Sequence, residues 1–176
     1  MRLDRTGNLL GALSLAVYDR TSDAVGSAAG GSDSTAAALS ALLHFLDRPS
    51  VDLLRQVLGL TSSGTVRLLD RLENAGHVER GPGRDARSTS VSLTPAGRQA
   101  AERVAAGRAG VLEGALAVLS LDERETLERL MSKILVGLIR EPGAVRWTCR
   151  LCDTHACGRD AGGCPVANAA RERYRS

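Results

Sequence analysis

Residues 51–80 have the sequence VDLLRQVLGLTSSGTVRLLDRLENAGHVER, and this stretch decides the fold. Residues 51–58 predict a short helix, and the Gly-Leu pair at 59–60 predicts a turn. A second helix is expected to open at a Thr or Ser cap and to run over 61–74, with Gly76 as the residue that ends it. Two short helices joined by a tight turn are typical of a helix-turn-helix.

The segment after this pair predicts a β-hairpin. Short strands at about 77–80 and 89–93 flank the sequence GPGRDAR at 81–87, which is rich in turn formers and charge. A charged hairpin that follows a helix-turn-helix is the arrangement of a winged helix.

Longer helices are expected on both sides of this unit. A first helix over 7–25, a flexible loop at 26–32 and a second helix over 35–47 precede it. Downstream, Thr94-Pro95 is a helix start, and Ser120 with Glu123 fits a capping box. We therefore predict a mainly α protein with a small β-hairpin wing (α+β), with helices from Pro95 to about Leu119 and over 121–140.

Four regions follow from this order of elements. They are an N-terminal dimerisation helix and loop (1–34), a winged helix-turn-helix (35–94), C-terminal dimerisation helices (95–143) and a Cys-rich tail (144–176).

The second helix of the motif has two unlike faces at 100° per residue. The side expected to dock on the domain carries Val66, Leu69 and Leu72. The opposite side carries Ser63, Arg67 and Arg71, with Gly64 and Asn74 beside them. Short polar groups near a helix N-terminus approach base edges, and arginines reach guanine or phosphate.

These properties define candidate DNA contacts. On the helix they are Ser62, Ser63, Gly64, Thr65, Arg67 and Arg71, and in the wing they are Arg84, Asp85 and Arg87. The wing arginines suit a minor groove, and Asp85 suits the role of holding an arginine in place. An ordinary surface helix with solvated arginines is the alternative, and Asp70 and Glu73 weaken the positive field of the helix.

Residues 53–80 and 83–98 together resemble the multiple-antibiotic-resistance (MarR) family of regulators. The resemblance rests on the helix-turn-helix, the Asp-x-Arg pair of the wing (Asp85, Arg87) and the segment VSLTPAGR at 91–98. It implies an obligate homodimer whose first and last helices intertwine and place two winged helices on a pseudo-palindromic double-stranded DNA operator. It also implies a repressor that a small-molecule or redox inducer releases.

Two apolar helix faces also predict a dimer, without reference to the family. Helices with wide apolar faces outside the compact winged helix need a partner surface. One face lies at 9–17. The other includes Leu127, Leu130, Met131, Ile134, Leu135 and Leu138.

Charge and composition further limit the classes of function that the chain can have. The net charge is +3 and Lys133 is the only lysine, so the positive charge is almost all arginine. Arginine suits bidentate contacts to phosphate and guanine, although a high-GC genome also favours it. No apolar run reaches the roughly 18 residues of a membrane span, so we expect no membrane partner and a cytoplasmic protein.

The tail contains all four cysteines, Cys149, Cys152, Cys157 and Cys164, with His155 among them. In a reducing cytosol, such clustering indicates metal binding first. A four-cysteine zinc site is the leading hypothesis, with His155 as a substitute for one thiol. An iron–sulfur cluster is the second hypothesis, because Cys164-Pro165 is typical of ferredoxin motifs, and a metal-free redox switch is the third.

Two other function classes are weaker. A thiol oxidoreductase or metalloenzyme needs an open metal position or a general base, and four cysteines around one ion leave neither. A metal-dependent interaction module without DNA binding is supported only by the acidic residues on the second helix of the motif. We therefore expect a regulator and not an enzyme.

Overall fold

The structure is a computed structural model that describes residues 3–83, 88–140 and 143–174. The described residues form eight helices and one two-stranded sheet. The elements are α1 (Arg5–Ala29), α2 (Asp33–His44), α3 (Val51–Leu58), α4 (Ser62–Asn74), β1 (Val78–Pro82), β2 (Thr89–Leu93), α5 (Pro95–Leu116), α6 (Leu121–Leu138), α7 (Ala144–Thr148) and α8 (Pro165–Arg173). This order confirms the predicted mainly α fold with a hairpin wing.

Local signals set the helix-turn-helix. Gly59 ends α3 in the left-handed region at φ 61°, where glycine is favoured. The Thr61 hydroxyl then accepts a hydrogen bond from the amide of Gly64 at 3.1 Å and caps α4. Gly76, at φ 70°, follows the last turn of α4. The antiparallel register pairs Val78 with Leu93.

The first helix corrects the predicted loop at 26–32. Helix α1 continues through Gly26 to Ala29 and ends at Gly30. Val25 and Ala29 are 1% and 5% exposed, so packing in the core holds a segment that glycine would otherwise weaken. Other ends shift by a few residues: α2 stops at His44, β1 extends to Pro82, α5 stops at Leu116 and α6 at Leu138.

The main core surrounds α2, whose Ala36, Ala38 and Ala41 are fully buried. Leucines of α3 and α4, the hairpin, and the first half of α5 close around it. Small side chains let neighbouring helices approach closely, which is how a chain with 2% aromatic residues builds a core.

The first turn of α5 is fixed against the start of the hairpin. Thr94 Oγ1 donates to the Gly76 carbonyl at 2.5 Å, and the Thr94 amide donates to the His77 carbonyl at 3.0 Å. A Cβ at Gly97 would lie 1.7 Å from the same His77 carbonyl oxygen. Only glycine permits this approach.

The tail is more structured than its sequence predicts. Helices α7 and α8 pack around a second small core that contains Ile139, Val145 and Val166 together with buried cysteines. Among the described residues, no single helix is both long and apolar enough to cross a membrane, and α5 and α6 meet that test only as a pair bent by 114°.

Candidate nucleic-acid interface and cysteine cluster

Helix α4 buries one side against the domain. Leu68, Leu69 and Leu72 are at most 2% exposed, as expected for a docking face. Thr65 is fully buried too, and its hydroxyl donates to the Thr61 carbonyl at 3.0 Å. The prediction that Thr65 contacts DNA is therefore wrong, because its hydroxyl bonds within the helix and its methyl faces the core.

The outer side of α4 is exposed at Ser62, Ser63, Arg67 and Arg71, and Gly64 is half-buried beneath the Thr61 cap. Val66 is 48% exposed. Its predicted place on the docking face is wrong, because the buried arc is centred on Thr65, Leu68, Leu69 and Leu72 and leaves Val66 beside Ser63. The open side thus offers hydroxyls, guanidiniums and one aliphatic group.

Arg80 of β1 neutralises the acidic residues of α4. Its Nη2 lies 2.5 Å from Asp70 Oδ1, and its Nε lies 3.5 Å from Glu73 Oε2. Sequence reasoning missed this residue, although an arginine that follows two carboxylates across a predicted helix–strand turn was a usable signal. The pairing removes the main electrostatic objection to an anionic partner at α4.

The base of the wing is anchored to the domain. The Val91 amide donates to the Pro49 carbonyl at 3.0 Å. The backbones of Ser50 and Ser90 also form an isolated antiparallel β-bridge. Arg84, Asp85 and Arg87, the predicted wing contacts, lie outside the described residues.

All four cysteines of the tail belong to one cluster. Cys149 and Cys164 are 5% and 4% exposed and lie in the second core, and Cys152 and Cys157 pack against it. Gly158 and Gly162 have positive φ, as expected for the turns that wrap this loop. His155 is exposed, and its amide donates to Asp153 Oδ1 at 2.8 Å.

The thiols contact one another in pairs. The Cys149 thiol donates a hydrogen bond to Cys152, which lowers the pKa of Cys152 to about 6 despite burial, and the guanidiniums of Arg108 and Arg159 act in the same direction. The same contact raises the pKa of Cys149. Thiolate is the form that binds metals. In the described parts of the chain, however, no three His, Cys, Asp or Glu side chains are already arranged to hold an ion.

The tail docks on the helix-turn-helix. The ring of Trp147 lies against Gly59, where a Cβ would be 2.9 Å from Cζ3. Thr154 Oγ1 donates to the His44 carbonyl at the end of α2, at 2.8 Å. Leu151 packs against the main core. The cysteine cluster is therefore attached to the part of the chain that carries α4.

The outward faces of α1 and α6 carry exposed apolar side chains. On α1, Leu9, Leu10 and Leu13 are 57%, 47% and 55% exposed. None of the residues of α6 is buried. Its exposed set includes Leu130, Met131, Ile134 and Leu138. Apolar side chains grouped in this way are typical of interaction surfaces.

Comparisons with known proteins agree with this architecture. A model of the MarR family matches residues 30–88. The structure of MarR from E. coli in its apo form is 26% identical, with a TM-score of 0.58 over 72% of this chain and 96% of that one. A MarR-family regulator from Silicibacter pomeroyi is 26% identical, with a TM-score of 0.57 over 73% and 89%.

A mutant of S. aureus MepR bound to an oligodeoxyribonucleotide has the same fold at 19% identity, with a TM-score of 0.58 over 78% of this chain and 100% of that one. No curated protein matches the sequence.

Proposed function

We propose, from the match of residues 30–88 to a model of the MarR family, that this protein is a dimeric transcriptional regulator that binds double-stranded DNA. The observation that carries the proposal is the open side of α4. Ser63, Arg67 and Arg71 lie on that side, and Arg80 neutralises the acidic residues beside them.

The chemistry of α4 suits a major groove. Its first turn carries serine hydroxyls beside exposed backbone, where base edges or phosphate approach. Arg67 and Arg71 lie one turn apart and reach guanine or phosphate from the same helix face. The solved complex of MepR with an oligodeoxyribonucleotide supports the use of this fold on DNA.

A homodimer follows from the uncovered helices. Helix α6 has 18 residues, none of them buried, and it carries four large apolar side chains outward, which is the kind of surface that a protein partner covers. We infer that α1 and α6 pack against the same helices of a second copy. Two copies related by a two-fold axis then present two α4 helices to a pseudo-palindromic operator.

We further infer a repressor that acts in the cytoplasm and is released by a small-molecule or redox signal. A dimer whose two α4 helices fit successive major grooves binds only at one spacing, so a signal that shifts the spacing lowers affinity. The chain is proposed to have no enzymatic activity, because its two distinctive sites are a DNA-facing helix and a buried thiol cluster.

The tail is proposed to bind zinc through Cys149, Cys152, Cys157 and Cys164. Four sulfur donors share one small core, and Arg108 and Arg159 offset the negative charge that four thiolates bring. The side chains must turn toward a common point as the ion binds. An iron–sulfur cluster is the alternative for the same donors. Metal analysis and a visible spectrum of anaerobically purified protein distinguish the two.

The DNA proposal is tested with duplexes obtained by in vitro selection. We expect log K to fall linearly with log salt concentration, because phosphate contacts release counterions. Arg67→Ala should weaken binding about tenfold or more and alter the selected sequence. Arg103→Ala, which removes an exposed arginine from α5, is the matched control and should change little. Binding without salt dependence would contradict the proposal.

A further inference from the structure

The tail (residues 143–174) contacts two parts of the proposed regulator, the helix-turn-helix that would bind DNA and helix α6 that would form the dimer. On one side it covers the turn of the helix-turn-helix and the end of α2. On the other side it packs on α6, through Leu135 and through the Arg173 guanidinium, which donates to the Ile139 carbonyl. The tail is therefore in contact with both the helix-turn-helix and α6.

Trp147 makes the contact with the helix-turn-helix. Gly59 ends α3 and begins the turn into α4, and three ring atoms of Trp147 lie within 3.6 Å of the position that a Cβ would take there. The ring thus covers the backbone of the turn directly, without an intervening side chain. A displacement of Trp147 would uncover the segment that orients α4 relative to α3.

The cysteine cluster fixes the position of Trp147. Helix α7 ends at Thr148 and Cys149 is its C-cap, two residues after the tryptophan, and the Cys149 amide donates to the Val145 carbonyl at 2.8 Å. Cys149 is buried against Val145 and Cys164 in the second core. The Arg150 guanidinium lies 3.7 Å from the centre of the Trp147 ring and holds its orientation.

A second anchor lies inside the cluster loop. Thr154, between Cys152 and Cys157, is 6% exposed and donates to the His44 carbonyl at 2.8 Å. His44 Nδ1 and Asp153 Oδ1 approach to 3.8 Å at the same junction. The loop that would wrap an ion therefore also ties down the last turn of α2, which leads into α3.

We propose that the four-cysteine site is a metal-dependent clamp on the helix-turn-helix: a zinc ion held by Cys149, Cys152, Cys157 and Cys164 keeps Trp147 on Gly59, and loss of the ion releases the turn and lowers DNA affinity. The proposal rests on the proposed DNA-binding function.

The physical reason is the size of the second core. Its buried members are small or medium side chains: Ile139, Val145, Cys149, Cys164, Val166 and Ala167. A core of this size buries little apolar surface, so binding of the ion would add ordering free energy to the contacts that the tail already makes with the rest of the chain. Metal occupancy and the position of Trp147 are then linked, and each favours the other.

Trp147 is the only tryptophan of the chain, so its emission reports the clamp directly. The experiment uses the full-length protein under reductant, zinc-loaded or stripped by a chelator. Two readouts are taken in parallel, Trp147 emission with acrylamide quenching and affinity for a selected duplex. We expect stripping to raise quenching and to weaken DNA binding about tenfold, and added Zn²⁺ to restore both.

Two variants separate the clamp from general unfolding. Trp147→Ala should bind DNA with an affinity that no longer changes with zinc, while it still binds the ion. Thr148→Ala, an exposed neighbour on the same helix, should respond to zinc as the wild type does. Circular dichroism of the stripped protein should keep the helical signal of α1 to α6.

The outcomes are distinct. If no duplex is bound in any state, the proposed DNA function fails. If the protein binds DNA but takes up no zinc, or binds DNA equally with and without it, the clamp fails and the DNA function stands. A Trp147→Ala variant that still responds to zinc as the wild type does would also overturn the clamp.

Discussion

Arg80 on β1 and Asp70 on α4 form an ion pair at 2.5 Å, so the wing strand supplies the counter-charge for the helix beside it. The pair is partly exposed, and its direct contribution to stability is small. Its larger consequence is electrostatic, because an unpaired carboxylate on the open side of α4 would repel phosphate.

Arg80→Ala should therefore weaken DNA binding about tenfold with little change in thermal stability. The double variant Asp70→Asn with Arg80→Ala should recover much of the loss, since the repelling carboxylate is gone. Fluorescence anisotropy at two salt concentrations measures both. An Arg80→Ala variant of unchanged affinity would show that Arg80 does not act through Asp70.

Val66 is 48% exposed on the open side of α4, and we predict that it contacts the C5-methyl of thymine, the one apolar group of the major groove. Val66→Ala removes two methyl groups, of which one is expected to face the thymine methyl, so affinity for a selected duplex should fall about fourfold, or about 0.8 kcal/mol for that one group. Replacing the critical thymine by uracil should cost the wild type a similar factor and the variant almost nothing. Equal losses in both proteins would contradict the contact.

Gly97→Ala should destabilise the protein by roughly 3 kcal/mol or more, because the new methyl would collide with the backbone carbonyl of His77. Gly110→Ala in the same helix has open space around the added methyl and should stabilise by up to about 1 kcal/mol. Thermal unfolding at one fixed protein concentration compares the two. The same sign for both changes would refute the close approach.

Ile134→Asp should produce a monomer, because it places a charge on the exposed apolar face of α6. Sedimentation velocity measures the assembly state, and DNA affinity should fall with it. Glu125→Gln, on the polar side of α6, serves as the control and should leave the dimer intact. A dimeric Ile134→Asp variant would place the interface elsewhere.

Asp33 links stability to pH. Hydrogen bonds from Ser22 and Tyr18 lower the pKa of Asp33 below its value in the unfolded chain, near 3.8. The folded state then gains stability that is fully present above about pH 4 and is lost as pH falls through the lower folded pKa. Asp33→Asn should be less stable than the wild type at pH 7. When the melting temperatures of both proteins are measured at decreasing pH, the difference between them should disappear.

Local signals in the sequence, chiefly helix caps, predicted most of the fold. Thr61, Thr94-Pro95 and the Ser120–Glu123 capping box predict helix starts that the structure confirms, because each depends only on side chains within one turn. The extension of α1 past Gly26 was not predictable in this way, because its cause is burial of Val25 and Ala29 against helices distant in sequence.

The candidate site shows the same division. The polar side of α4 was predicted from its angular pattern, but Val66 lies at the edge of the buried arc, where a rotation of a few tens of degrees exchanges burial and exposure. Thr65 lies within that arc, and its polar side chain hid its burial from the sequence pattern. The docking of the tail depends on Thr154 and His44, which are 110 residues apart, and no local pattern signals such a contact.

The alanines of α2 have a mechanical consequence. Helix α2 packs against α1 and α5, and the side chains of its fully buried Ala36, Ala38 and Ala41 have no rotamers to exchange. A helix interface of this kind has no alternative packing to adopt at low cost, so it transmits displacement without absorbing it. Any conformational freedom that the proposed regulation requires must then reside where side chains can repack, at the proposed subunit interface and at the contact between the tail and the helix-turn-helix.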